Sequence, residues 1–347
     1  MLKKFKVQGF KSINDLSIEM KKFNLFTGTN SSGKSSIIQA LLLLSQNLDN
    51  EYGLNGPLVS VGNYRDAKNY NVNLESIKIE AEDDECLIGV EFEEEKIREL
   101  IGENNSILAT TMQYGNNRLH YLSCNRVGGQ DIYRKNRTIN AGVGINGEYA
   151  IDYLCMYNDI PLEDIIVKDK TNYTMLAQVN FWLKYIIGAN IKVEEIAGTD
   201  VVKASYGMID GKYSRPNNVG SGISYLISII VMCLGSQKGD VLIIENPEIH
   251  LHPLSQSRLC EFLYFVSNAD RQLIVETHSD HIFNALRVGI ATNTMTVNNI
   301  SISFLRLGSD NCTRIHNIEI GEYGRIENPI PNMFDQFQVD LDKMIGV

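Results

Sequence analysis

The chain has 347 residues, 44% of them hydrophobic and 21% charged, with a formal net charge of −10. This is the make-up of a globular, water-soluble protein with room for one large domain or two ordinary ones; its longest apolar runs fall short of a membrane span, and its N-terminus lacks an apolar leader segment. The acidic balance also excludes coating of a nucleic acid by bulk charge, which would need a local basic patch.

In chain order, FKVQGF, DLSIEM and KFNLFTG alternate or run apolar over strand lengths, and the third ends at a glycine-rich loop. Helical periodicity follows from Ser35 to about Gln46. Residues 75–92 and 107–123 read as further strands, the latter including RLHYLSC. Between 75 and 95 ten Asp/Glu face only Lys78, the pattern of a solvated face on a β-meander rather than a metal site. Residues 125–149, rich in Gly, Asn and Arg, read as loop. Helices are expected over 150–188, then a hairpin of NIKVEEI and VVKASYG, and the loop DGKYSRPNNVGSG leading into a helix at about 222–234. The strand DVLIIE, the helix SQSRLCEFLYFVS, the strand RQLIVET and the helix DHIFNALRVG come next, then strands ISISFLRL and TRIHNIEI and a short terminal helix.

The expected class is α/β: an N-terminal β-meander, a mixed central sheet and a helical insertion. The chain divides into 1–125 and 216–310 as two parts of one split domain, 126–215 as the insertion and 311–347 as a short extension. The six cysteines are scattered without a C-x-x-C pair, as suits reduced thiols of the cytoplasm.

Three segments carry chemistry. GTNSSGKSS (28–36) fits G-x-x-x-x-G-K-[ST] between a strand and a helix, where backbone N–H groups and a helix N-terminus cradle phosphates. Gly28, Asn30, Ser31, Ser32, Gly33, Lys34, Ser35 and Ser36 are the candidate nucleotide contacts. Lys34 would neutralise β/γ-phosphate charge, and Ser35 would coordinate Mg²⁺. In DVLIIENPEIHLHP an apolar strand ends at Glu245, placed to hold Mg²⁺, with Asn246 and Glu248 beyond it. In QLIVETHSDHI another strand ends before His278, where an imidazole could sense a γ-phosphate. Glu248, His250 and His252 also form an alternate-residue triplet open to reading as metal ligands. Arg134, Lys135 and Arg137, with Arg126 nearby, are the best basic cluster, either a nucleic-acid contact or a solvated loop.

Together, GTNSSGKSS, IIENPEIHLHP and VETHSD resemble the ABC-type ATPase heads, closest to the prokaryotic OLD-like group, itself similar to RecF and SMC heads. YLSCNR, NVGSGISYLISIIV and IENPIPNMFDQ resemble a subgroup of these ATPases with a short uncharacterised C-terminal domain. The resemblance implies two heads paired head to tail around two ATP molecules with Mg²⁺. The phosphate loop of one head would face a signature segment of the other, here Asn218 to Ser224 with Gly220, Ser221 and Gly222. An ordinary Gly/Ser helix cap is the other reading of that segment. His278 matches the switch histidine, and 250–253 the interface loop. Glu245, Glu248 and His278 are therefore the catalytic candidates. Where such heads carry a catalytic glutamate this chain has Asn246, whose amide cannot act as a base, so either Glu248 orients the water or hydrolysis is slow.

No toprim nuclease constellation is read: Asp340 and Asp342 form a D-x-D by letters only. The expected role is a homodimeric or larger ATPase serving as sensor and scaffold for an antiphage-defence or DNA-maintenance system, with an effector such as a nuclease supplied by a separate protein. A RecF-like DNA-repair ATPase is the alternative. A transporter subunit fits less well, because no LSGGQ-like signature is present.

Overall fold

The computed structural model describes the chain except residues 95, 102–105, 139–141, 208–210, 332 and 346–347. The elements in chain order are β1 (Lys4–Phe10), β2 (Ile13–Glu19), β3 (Phe23–Gly28), α1 (Lys34–Asn47), α2 (Tyr64–Ala67), β4 (Ile77–Glu82), β5 (Leu87–Phe92), β6 (Ile97–Ile101) and α3 (Ile107–Met112). Then follow β7 (Leu119–Leu122), β8 (Tyr133–Arg134), α4 (Ala150–Tyr157), α5 (Met175–Ile187), β9 (Asn190–Glu195), β10 (Val201–Gly207), β11 (Tyr213–Ser214) and α6 (Ser221–Gly235). The remainder is β12 (Val241–Glu245), α7 (Pro253–Asn268), β13 (Gln272–Glu276), α8 (Asp280–Ala291), β14 (Ile300–Leu307), β15 (Thr313–Asn317) and α9 (Gln336–Ile345).

The chain forms two compact units, one of residues 2–106 with 276–347, the other of 107–275. The segment 126–215 lies wholly within the second. In the first unit, antiparallel strands run in the order β2-β1-β4-β5-β6. Ile77, Ile79 and Ala81 alternate inward on β4, which leaves Lys78, Glu80 and Glu82 on the other face. The acidic run is therefore carried on a meander, Glu95 lying outside the described residues. In β3 every residue but Gly28 is buried, and the strand pairs parallel with β14 in the register Phe23↔Ile300 to Gly28↔Leu305. A strand covered on both faces reads as a continuous apolar run. α1 buries Ile37, Ile38 and the run Ala40 to Leu44.

In the second unit β12 pairs parallel with β7, in the register Val241↔Leu119 to Ile244↔Leu122. β10 pairs antiparallel with β8, β9 and β11. α5 and α7 meet through Trp182, whose ring lies 4.8 Å from that of Phe262 and 5.3 Å from that of Phe265.

The α/β class and most elements stand as the periodicity implies. One expectation is corrected: residues 107–112 are helix, not strand. Leu108, Thr111 and Met112 are buried at helical spacing, and six residues are too few to display that period in sequence. The stretch 125–149 holds the short β8, and α2 and β6 are elements the sequence reading lacks. Residues 139–141 and Asp210 of the two loop readings, and the last two residues of DLDKMIGV, lie outside the described residues. All six cysteines are free. Among the described residues no helix is long and apolar enough to cross a membrane.

Candidate nucleotide-binding site

In the first unit, β3 delivers the chain into the loop 29–33, and α1 begins at Lys34. Gly28 has φ +146°, and a Cβ there would lie 2.1 Å from the Leu305 carbonyl oxygen of β14. Only glycine permits this approach of loop and strand. Gly33 is the left-handed N-cap of α1, and no side chain caps that helix. Its first-turn N–H groups thus lack side-chain acceptors, as at an anion site. Thr313 braces the loop from β15: its hydroxyl donates to the Ser32 carbonyl at 3.0 Å and meets Ser12 Oγ at 2.8 Å.

Lys34 is buried, and its ammonium donates to the carbonyl oxygens of Gly28 (3.1 Å) and Thr29 (2.8 Å). Burial pushes its pKa down, while the Glu276 carboxylate acts the opposite way. Ser35 Oγ donates to Glu276 Oε1 at 2.9 Å. Asn30 through Ser36, with Ser12, Glu276 and His278, line a cavity of about 280 Å³. Partial enclosure, and then the Lys34 ammonium, hold the His278 imidazole below the usual range. Such a donor set suits a polyphosphate with a divalent cation: backbone N–H groups and an ammonium for the phosphate oxygens, a hydroxyl for the metal.

In the second unit, all five residues of β12 are buried, and the strand ends at Glu245. Glu245 Oε2 accepts the Cys124 N–H at 3.1 Å. Asn246 turns the chain with φ +43° and His250 does so again with φ +62°. The Ile249 N–H bonds to the Asn246 carbonyl, and the Leu251 N–H to that of Glu248. α6 opens after Gly220, again with no side-chain cap and no acid in its first turn. A Cβ at Gly222 would lie 2.5 Å from the His250 carbonyl oxygen, so the start of α6 packs directly on the loop after β12. Ser221 is exposed at the first position of α6, whereas Ser224 is buried beside the hydroxyls of Tyr133 and Tyr206. Ser221 is thus the serine open to an incoming group.

The AAA ATPase domain family matches residues 1–174 and 162–283, well over half of the chain. The chain belongs to that family. No curated protein matches it. Among solved structures, an SMC head bound to the C-winged helix domain of ScpA superposes with TM-score 0.55 at 15% identity, over 92% of this chain and 98% of that one. The SMC head domain from Thermotoga maritima gives TM-score 0.50 at 14% identity, over 92% and 99%. An Smc head with an extended coiled coil, bound to the C-terminal domain of ScpA derived from Pyrococcus furiosus, gives 0.55 at 12%, over 99% of each chain. At these identities the likeness is one of fold, that of an ABC-type ATPase head.

The sequence-derived residues of this ATPase therefore fall into two sets. Gly28, Asn30 to Ser36 and His278 come together in the first unit. Glu245, Glu248 and the segment Gly220 to Gly222 belong to the second. The metal-triplet reading of Glu248, His250 and His252 finds different work for its histidines: His250 lies against the Tyr225 ring at 4.8 Å, and His252 caps α7 through the Leu254 N–H. Among the described residues no cluster of three or more His, Cys, Asp or Glu is placed to hold a metal.

The basic cluster needs correction. Arg126 is 3% exposed, and its guanidinium donates to three carbonyl oxygens: Ser123 (3.0 Å), Glu245 (2.6 Å) and Asn246 (2.5 Å). Burial lowers its pKa, and Glu248 is the first of the charges that counter this. It clamps the end of β12 and offers no charge to a nucleic acid. Lys135 pairs with Glu195 and Arg137 with Asp200, which offsets much of the remaining charge. Arg126 thus has a different role from the one its sequence context suggests. Glu276 is a site residue that the motifs do not single out, although like Glu245 it is an acid ending an apolar strand, and that parallel is its signal.

Proposed function

We propose that this ATPase binds and hydrolyses ATP with Mg²⁺, and that two heads close on the nucleotide and reopen after hydrolysis. The supporting observation is the phosphate loop itself: Gly28 has no room for a side chain, α1 is uncapped at Gly33, and Lys34 and Ser35 line one cavity. In this reading the N–H groups of Asn30 to Ser36 and the Lys34 ammonium hold the β- and γ-phosphates, and Ser35 meets the metal. Glu245 serves the metal through water. Ser221, between Gly220 and Gly222, greets the γ-phosphate of the opposing head, and His278 senses it.

Glu248 orients the attacking water in place of Asn246. Glu248 lies three residues beyond the end of β12, beside the Arg126 guanidinium that clamps that strand end. Turnover of Glu248→Gln and Asn246→Glu tests this: loss in the first supports it. An unchanged first variant beside a much faster second refutes it.

The biological role proposed is a cytoplasmic sensor and scaffold in a prokaryotic antiphage-defence or DNA-maintenance system, driving a separate effector such as a nuclease. That SMC heads were solved with a ScpA domain bound supports the idea that a head of this fold carries an accessory protein. Light scattering after size exclusion, with ATP or a non-hydrolysable analogue, should show a nucleotide-dependent dimer for the native chain and none for Lys34→Ala. An unchanged mass with nucleotide sinks the switching model. Turnover stimulated by DNA with no partner present would favour the RecF-like repair role instead.

A further inference from the structure

We propose that Glu276 is a positioning carboxylate of the magnesium site, holding the Ser35 hydroxyl in the orientation that ligates the metal. This rests on the nucleotide reading above and adds to it a residue that the three motifs leave unassigned.

The argument starts from the hydroxyl. A serine has one proton to give and two lone pairs to offer. In the first turn of a helix that hydroxyl readily turns to nearby backbone groups. Here its proton is committed to Glu276 Oε1 at 2.9 Å. The lone pairs are left for another partner, and Ser35 lines the phosphate-loop cavity.

Glu276 is itself well fixed. It is 2% exposed at the last position of β13. The next residue, Thr277, donates its N–H to the Phe26 carbonyl of β3 at 3.0 Å. Thr277 Oγ1 then accepts the Ser279 N–H at 3.0 Å, and Ser279 Oγ caps α8 through Ile282. The backbone on which the carboxylate sits is therefore pinned between two elements.

A buried carboxylate is expensive unless a charge or strong donors meet it. Lys34 supplies a nearby cation and Ser35 a donor. A divalent ion on the hydroxyl would add a far larger stabilising charge. Metal ligands are commonly oriented by just such an outer carboxylate, which also makes the ligand oxygen more basic. Glu245 has a different immediate partner, the Cys124 N–H. Of the two strand-end acids, Glu276 is the one whose carboxylate accepts the serine proton.

The test is Mg²⁺ titration of fluorescent-ATP binding by the full chain, compared with binding in EDTA. Native protein, Glu276→Gln, Glu276→Ala, Ser35→Ala and the Ser35→Ala/Glu276→Ala pair are measured. Glu276→Gln keeps an acceptor for Ser35 and loses the charge, and should raise the half-saturating Mg²⁺ about 10-fold; Glu276→Ala should approach ~100-fold. Metal-free ATP binding should hold or tighten, because a negative charge facing the phosphates is gone. The double variant should be little worse than Ser35→Ala alone. A purely structural staple predicts equal weakening with and without metal, and that result overturns the proposal. So does an unchanged Mg²⁺ dependence in both Glu276 variants, or penalties that multiply in the pair. Native protein that binds no nucleotide in either condition overturns the nucleotide reading as well.

Discussion

Replacing Arg126 with alanine should destabilise the fold while leaving any nucleic-acid affinity untouched. Its guanidinium donates to the carbonyl oxygens of Ser123, Glu245 and Asn246 at 3.0, 2.6 and 2.5 Å, with 3% of the residue exposed. A hydrogen bond from a charged donor contributes ~1.5–3 kcal/mol, and three would sum to about 4–9. Desolvation of the cation offsets part of that, so removal should cost about 3–5 kcal/mol, as for other broken buried ionic contacts. For a unit of this size that is a fall of roughly 6–20 °C in melting midpoint. The assay is thermal unfolding followed by circular dichroism, with DNA binding measured by fluorescence anisotropy on the same samples. Arg126→Lys should recover only part of the loss, since one ammonium cannot reproduce the planar fork that spans three acceptors. A midpoint shift below about 2 °C, or a drop in DNA affinity with stability intact, would refute the clamp and restore the surface-charge reading.

Gly28→Ala should abolish nucleotide binding and cost about 3 kcal/mol, because its Cβ would fall 2.1 Å from the backbone of β14; a variant that unfolds and binds ATP like the native chain contradicts the packing argument. Stability should also depend on His278. Its folded pKa lies below the ordinary 6.5, through partial enclosure and then Lys34, so the unfolded chain takes the proton first as pH falls. The contribution is fully present above pH 6.5 and is lost as pH drops through the depressed folded value. Urea unfolding midpoints measured between pH 7.5 and 5 should therefore fall less steeply for His278→Gln than for the native chain. Equal slopes would rule the effect out.

The parts legible in the sequence were those written locally. β3, the phosphate loop and α1 are contiguous, so apolar run, glycines and helical period sit side by side in residues 22–47. β12 and β13 announce themselves as five-residue apolar runs ending in an acid. α3 failed because a six-residue helix offers too little period to tell it from a strand. Arg126 failed for another reason. A cation inside a Gly- and Asn-rich stretch has the letters of a surface loop, and the carbonyls that draw it inward lie mostly some 120 positions away.

The same distance effect explains the two glutamates. Glu245 and Glu276 are equivalent by any local rule, each closing a buried strand ahead of a turn. Sequence alone ranks them by the motif that follows. What separates them physically is the donor each carboxylate meets: a backbone N–H of Cys124 in one case, the Ser35 hydroxyl 241 residues away in the other. A backbone N–H fixes a carboxylate and asks nothing more of it. A hydroxyl passes the constraint on, because committing its one proton dictates where its lone pairs point. The chemistry that a strand-end acid can do is therefore decided by the partner across the fold, and that partner is what the linear pattern omits.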